Sequence, residues 1–220
     1  MPPTVPAPPP APRPDVAVGL VDLTAVGDAL ARAQALLTPA ELARARRGTP
    51  AVHRRRVLLR AALRTALADE LGTRPERVPL TTTAAGRPQL PAATGLDASC
   101  SADGPLGLIA VGRGCRVGVD VERVAPWTPD VLDERWLAGS EQAALTALPP
   151  AARPQAVARA WTQKEAVLKA RGTGLRDDPA ATVTVVGRIE GEVAGWPVRD
   201  VPVPDGWVAS LAARDEETRR

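Results

Sequence analysis

Val117-Gly118-Val119-Asp120-Val121-Glu122 and, about forty residues on, Trp161-Thr162-Gln163-Lys164-Glu165-Ala166-Val167-Leu168-Lys169 are the stretches that decide the fold. The first reads as a β-strand. Side chains alternate along it, so Val117, Val119 and Val121 bury on one side while Asp120 and Glu122 project from the other. Two neighbouring carboxylates raise each other's pKa unless a cation neutralises them. A hard divalent ion such as magnesium answers that need, and an exposed strand face paired with arginine is the alternative. The second stretch reads as a helix on which Trp161, Glu165 and Lys169, at i, i+4 and i+8, share one face. Its alternative is a surface Glu165–Lys169 pair, worth only about 0.3–0.5 kcal/mol. Lys164 lies about 100° around the helix from Glu165, which leaves its role open. Gly172, in Gly172-Thr173-Gly174, is placed to end the helix.

Working outward, the 220 residues suffice for one large domain or two small ones sharing an interface. Hydrophobic residues at 45% and charged residues at 24% are ordinary for a soluble globular chain. Lys164 and Lys169 are the only lysines in a chain that otherwise builds its cations from arginine. Since a compact ammonium and a planar guanidinium are not interchangeable beside a phosphate, this confinement points to a specific need. Cys100 and Cys115 form neither a disulfide framework nor a Cys-x-x-Cys zinc pattern. His53, the only histidine, falls in a basic helical region and reads as a surface residue, which argues against Ser-His-Asp or Cys-His hydrolase chemistry. The opening MPPTVPAPPPAPRP is not a secretory signal, and no apolar run approaches the roughly 18 residues of a membrane span. A soluble, cytoplasmic protein is expected. The basic stretch lacks interleaved aromatics, which argues against nucleic-acid binding.

Residues 1–14, dominated by proline, read as a disordered leader. A first strand is expected over 15–23 and a helix over 28–37. Thr38-Pro39-Ala40-Glu41 carries the signature of a new helix start. From Glu41 to Leu71 the chain is rich in Arg and Ala, with Leu58, Leu59, Ala62, Leu63, Ala66 and Leu67 forming an apolar face. Most of the arginines there, a set that includes Arg44, Arg56, Arg60 and Arg64, read as solvated, with one or two left to line an anion pocket. Two strands, one within Leu96–Val111 and one over 116–121, could pair as a hairpin around 112–114. Helices are expected at 129–137, 140–148 and 154–171, and strands at 181–189 and 207–212.

Together, GVDVE on a strand and W-x-x-K-E-x-x-x-K followed by Gly-x-Gly resemble the 4′-phosphopantetheinyl transferases, most closely the longer class. Gly86-Arg87-Pro88 resembles the family's Gly-Lys/Arg-Pro turn, and the helices around LLTPAELARARR and RRRVLLRAALR resemble its basic N-terminal helices. The resemblance covers roughly residues 36–175. It implies an α+β fold of two similar subdomains in a pseudo-twofold arrangement, with an N-terminal subdomain over 15–112 and a C-terminal one over 113–220. It also implies a transferase that moves the phosphopantetheine arm of coenzyme A onto a serine of an apo acyl or peptidyl carrier protein, releasing adenosine 3′,5′-bisphosphate. By that resemblance Asp120, Glu122 and Glu165 are ligands to Mg²⁺. Glu165 is the general base, directly or through a metal-bound water, and Lys169 offsets charge on the phosphates. Arg44, Arg56, Arg87, Ser99 and Cys100 match positions around the nucleotide, with Arg87 the firmest match. Cys100 departs from the family, standing where a phosphate-contacting His is usual. A thiol donates poorly, and losing a charge-assisted contact costs about 1.5–3 kcal/mol, so weaker coenzyme A binding is expected. Cys100 also leaves open a degenerate relative that binds coenzyme A or a carrier without transfer. The pathway (fatty-acid, polyketide or nonribosomal-peptide) is not specified, and a monomer is the simplest expectation.

Overall fold

The computed structural model describes residues 15–216 apart from 85, 133 and 134, together with all their side chains except that of residue 175. The expected leader, 1–14, lies outside the described residues. The fold is α+β. β1 (Val16–Asp22) leads into three helices, α1 (Asp28–Ala35), α2 (Pro39–Ala45) and α3 (Pro50–Leu71). A two-stranded ribbon follows, β2 (Thr81–Thr82) with β3 (Pro88–Gln89), and then β4 (Leu96–Asp103), β5 (Leu106–Arg113) and β6 (Cys115–Arg123). The remainder is α4 (Gly139–Ala147), α5 (Arg153–Arg171), β7 (Glu190–Val193), β8 (Trp196–Asp200) and β9 (Trp207–Asp215). The strands form a three-stranded sheet in the order β1-β5-β4 and a four-stranded sheet in the order β6-β9-β8-β7. No described helix is long and apolar enough to cross a membrane.

α2 begins with the expected capping box: Thr38 Oγ1 accepts from the Glu41 backbone N–H at 3.3 Å, and the Thr38 N–H donates to Glu41 Oε2 at 2.8 Å. The basic region does not run on as one helix. Gly48 takes a φ of +123°, and Thr49-Pro50 starts α3 with Thr49 as its cap. That start repeats the Thr-Pro device seen at Thr38, so the break was legible in the sequence.

Arg64 departs from the solvated reading given to most of these arginines. It is 1% exposed, donates from Nε to both Glu41 oxygens at 3.1 and 2.9 Å, and donates from Nη1 to the carbonyls of Pro75 and Val78. Glu41 also pairs with Arg60 at 2.7 Å. Burial pushes the Glu41 carboxyl up, but Arg64, the Thr38 N–H and Arg60 outweigh it and hold the group below its ordinary value of 4.5. A carboxylate depressed on folding stabilises the protein above its unfolded pKa, and that contribution fades as pH falls through the folded one. Glu41→Gln is therefore expected to cost about 2–3 kcal/mol at pH 7. In chemical denaturation, the gap from wild type should shrink as the pH drops below about 4.5; a gap independent of pH would contradict this.

β5 and β6 do not pair, contrary to the expected hairpin. Both edges of β5 are taken, by β1 and β4, so Gly114 at φ +65° turns the chain into the second sheet, where β6 pairs with β9. The two sheets instead meet through a side-chain ladder. β6 is an edge strand, and on its free side Asp97 Oδ2 accepts from the N–H of Val117 (2.9 Å), Ser99 Oγ from Val119 (3.1 Å) and Asp103 Oδ2 from Arg123 (3.0 Å). These acceptors, two or four residues apart, lie on one face of β4 and satisfy an edge that would otherwise be left open.

Two further expectations change. Among the described residues of 129–137 the structure has a short 3₁₀ turn at Pro129–Leu132 and no α-helix. No strand forms over 181–189; the sheet strands lie beyond it, in the β7–β8 hairpin. In that segment Thr182 and Thr184 are buried while Val183 and Val185 are 45% and 56% exposed. A buried charge pair, described below, draws this segment inward: Thr184 gives it an N–H and a hydroxyl, and Thr182 a backbone carbonyl.

Candidate active site

The site is built where α5 lies on β6. A Cβ at Gly118 would stand 1.9 Å from the carbonyl oxygen of Ala166 and 2.5 Å from the nitrogen of Ala170. Any side chain there would drive the helix off the strand. Val117, Val119 and Val121 are 0% exposed in the core on the far face of β6, so Asp120 and Glu122 turn toward α5, as the alternation predicts.

Asp120 is 2% exposed. Its Oδ1 accepts from Lys169 Nζ at 2.6 Å and from Ser101 Oγ at 2.6 Å, and Lys169 Nζ also donates to Ser101 Oγ at 3.0 Å. Asp120 Oδ2 and Glu165 Oε1 are buried with no hydrogen-bond partner. Burial raises the Glu165 carboxyl above its usual range; Lys169 partly counters this and Asp120 adds to it. Glu122 accepts a hydrogen bond from Trp161. Burial, with repulsion from Asp120 and Asp103, nevertheless pushes its pKa up to about 7. Burial pulls the Lys169 ammonium down, but Asp120, with help from Glu165, outweighs it and raises the group above its ordinary value.

Two adjoining cavities lie on the Lys169 side. One, of about 520 Å³, is lined by Arg87, Ser99, Cys100, Glu165, Lys169 and Thr173, among others. The other, of about 210 Å³, shares Gly86, Pro88 and Cys100 with it and adds Arg44, Arg56 and Arg60. Cys100 sits where they meet. Burial pushes its thiol up, while Lys169, Arg60 and Arg87 all pull it down, so three cations bear on one spot. At the other end of the helix face, Glu122, Trp127, Trp136 and Trp161 line a cavity of about 220 Å³. There Trp136 meets Trp161 edge-on, with ring centroids 5.1 Å apart.

Asp120, Glu122, Glu165 and Lys169 are therefore brought to one strand–helix junction. Ser99 and Cys100 reach the cavity wall, although the Ser99 hydroxyl also holds Val119. Arg87 is engaged by the protein itself. It pairs with Asp97 and donates to the carbonyl oxygens of Val117 (3.2 Å) and Lys169, bracing the C-terminal end of α5 against both sheets. Arg56 donates to the carbonyls of Arg44 and Arg47 near the end of α2. Arg60, Ser101 and the tryptophan pocket were not singled out from sequence. For Ser101 the signal was present, since it shares the two-residue period of Asp97, Ser99 and Asp103.

Lys164 is not part of this site. Both it and Glu141 are 0% exposed and 2.7 Å apart, and its other two protons go to the carbonyls of Pro179 (2.9 Å) and Thr182 (2.8 Å). Glu141 in turn accepts from the N–H and hydroxyl of Thr184 and from the Ala138 N–H.

Asp120, Glu122 and Glu165 are the oxygen donors available here to a hard cation. Among the described residues, no three His, Cys, Asp or Glu side chains are already drawn together closely enough to hold one.

A strand carrying two carboxylates, a helix carrying Glu165 and Lys169, and cationic cavities beside them agree with what comparison with known proteins finds. Residues 116–192 match the model of the 4′-phosphopantetheinyl transferase superfamily. The chain is 34% identical over 188 residues to the 4′-phosphopantetheinyl transferase HetI of Nostoc sp. (strain PCC 7120 / SAG 25.82 / UTEX 2576), covering 81% of this chain and 78% of that one. It is 33% identical over 147 residues to slr0495 of Synechocystis sp. (strain ATCC 27184 / PCC 6803 / Kazusa), provisionally named for the same activity, covering 64% of this chain and 59% of that one. A likeness of that extent, running through the strand and helix that build the site, makes the chain a transferase belonging to the 4′-phosphopantetheinyl transferase superfamily.

Proposed function

We propose that this transferase moves 4′-phosphopantetheine from coenzyme A to a serine of an apo acyl or peptidyl carrier protein in a magnesium-dependent reaction. The observation that carries this reading is the face of α5. Lys169 and Glu165 line a cavity bordered by cations, and Trp161 lines an apolar one, so a single helix face runs from a site for phosphates to a site for an uncharged arm. Coenzyme A has that polarity, with a phosphorylated nucleotide at one end and an amide-linked pantetheine at the other. In this reading the nucleotide phosphates lie toward Arg44, Arg56, Arg60 and Cys100, and the arm toward the tryptophans. Dividing the chain into subdomains at 112/113, with a monomer acting in the cytoplasm, belongs to the same reading.

The serine oxygen attacks the phosphorus that bears pantetheine. A new O–P bond forms, the bond from that phosphorus to the bridging oxygen breaks, and the bridging oxygen leaves as part of adenosine 3′,5′-bisphosphate. Glu165, with its raised pKa and unpartnered oxygen, takes the serine proton. Lys169 places its ammonium beside the phosphates, where charge neutralisation and positioning provide most of the catalysis. Asp120, Glu122 and Glu165 would hold magnesium. Two observations fit it: an unpartnered buried oxygen on each of Asp120 and Glu165, and a crowded Glu122 that gains from a neighbouring cation. When bound, the ion supplies positive charge to the pyrophosphate.

The test is to incubate the protein with coenzyme A and an apo carrier, with magnesium or with EDTA, and weigh the carrier. A gain of one phosphopantetheine that is lost in EDTA is expected. Coenzyme A bound without any gain would select the non-transferring relative that Cys100 suggests.

A further inference from the structure

The ladder between β4 and β6 has one rung out of step. Asp97, Ser99 and Asp103 each accept the backbone N–H of the residue twenty positions later: Val117, Val119 and Arg123. Ser101 lies on the same face of β4, and that offset pairs it with Val121. Its hydroxyl instead donates to Asp120 Oδ1 at 2.6 Å and accepts from Lys169 Nζ at 3.0 Å, while Lys169 Nζ reaches the same Oδ1 at 2.6 Å. A hydroxyl can do both at once, because it carries one donor and two lone pairs.

The closed triangle has two consequences. Asp120 Oδ1 is occupied by two donors, so the carboxylate cannot rotate freely and Oδ2, buried and unpartnered, is left as its open coordination position. Lys169, whose side chain is 26% exposed and borders the phosphate cavity, is tethered at two points instead of one. We infer that Ser101 is a positioning residue for the transfer reaction: it fixes the Asp120 carboxylate and the Lys169 ammonium before coenzyme A arrives. This rests on the reading that Asp120 and Lys169 act in transfer. It assigns Ser101 no contact with the reacting atoms.

The experiment compares wild type, Ser101→Ala, Ser101→Thr and Asp120→Asn for kcat, KM for coenzyme A and Tm. Crystal structures of wild type and Ser101→Ala without metal or coenzyme A supply a readout independent of turnover. Misplacing a reacting group by about 1 Å can cost on the order of a hundredfold, so Ser101→Ala is expected to lower kcat about ten- to a hundredfold. KM should change less than about threefold, Tm should hold, and threonine, which keeps the hydroxyl, should restore most of the rate. In the alanine crystal, Lys169 Nζ or the Asp120 carboxylate should leave its wild-type position. An unchanged kcat in Ser101→Ala, or equal losses in the alanine and threonine variants accompanied by a fall in Tm, would overturn the inference. If Asp120→Asn also kept wild-type turnover, the reading of the site would fall with it. If Asp120→Asn were inactive while Ser101→Ala was normal, this inference alone would fall.

Discussion

Glu165→Gln is expected to lower kcat for phosphopantetheine transfer by about 10²–10⁴-fold, the range for losing a positioned general base, with no loss of thermal stability. The carboxyl is partly buried, one of its oxygens has no hydrogen-bond partner, and its pKa is raised above 4.5 by burial. Charge on such a group opposes folding at neutral pH, because an acid whose pKa rises on folding favours the native state only where it is protonated. Removing that charge at pH 7 should leave Tm unchanged or slightly higher. Steady-state kinetics on the apo carrier, paired with a melting curve, check both halves. Wild-type turnover would remove Glu165 from the mechanism, and a lower Tm accompanying the lost rate would make its role structural.

Lys164→Met should have the opposite signature. Lys164 and Glu141 are 0% exposed, and all three ammonium protons have acceptors: Glu141, Pro179 O and Thr182 O. Burial lowers the lysine's pKa, and Glu141 works against that shift. Removing the cation strands a carboxylate in the interior between the start of α4 and the 179–184 segment. Breaking a buried pair in this way costs about 3–5 kcal/mol, which for a chain of this size lowers Tm by roughly 6–20 °C. Adding Glu141→Gln should recover part of the loss, since the uncompensated charge is then gone. A Tm within a degree or two of wild type for the single variant would contradict the assignment.

The two lysines show what the sequence could and could not reveal. Their confinement to one helix marked a need for an ammonium, but the need has two causes. Lys169 meets Asp120 beside a cavity. Lys164 needs three donors pointing to three acceptors in a closed space, which a planar guanidinium does not supply. Adjacent motif positions on a helix look in different directions, and only the packed segments on each side say what they meet. β1, the capping box of α2, β6, α5 and its Gly172 stop were all legible, because each rests on local chemistry or on a period of two or 3.6 residues. The 181–189 segment was not. It is held by the buried pair through the N–H and hydroxyl of Thr184 and the backbone carbonyl of Thr182, a long-range demand that local alternation does not show. Ser101 was half legible: its two-residue period with Asp97, Ser99 and Asp103 puts it on their face, but the register of that face against β6 is a tertiary fact.

The chemistry proposed for this transferase depends on Asp120, Glu122 and Glu165 sharing one cation beside the coenzyme A phosphates. Crystals of the protein with coenzyme A and Mn²⁺ in place of Mg²⁺ would locate that ion by its anomalous scattering. The predicted result is a single peak within about 2.5 Å of a carboxylate oxygen of each of the three residues and in contact with the pyrophosphate. A manganese ion held by the pyrophosphate alone, or with the Glu165 carboxyl beyond reach of it, would contradict the account.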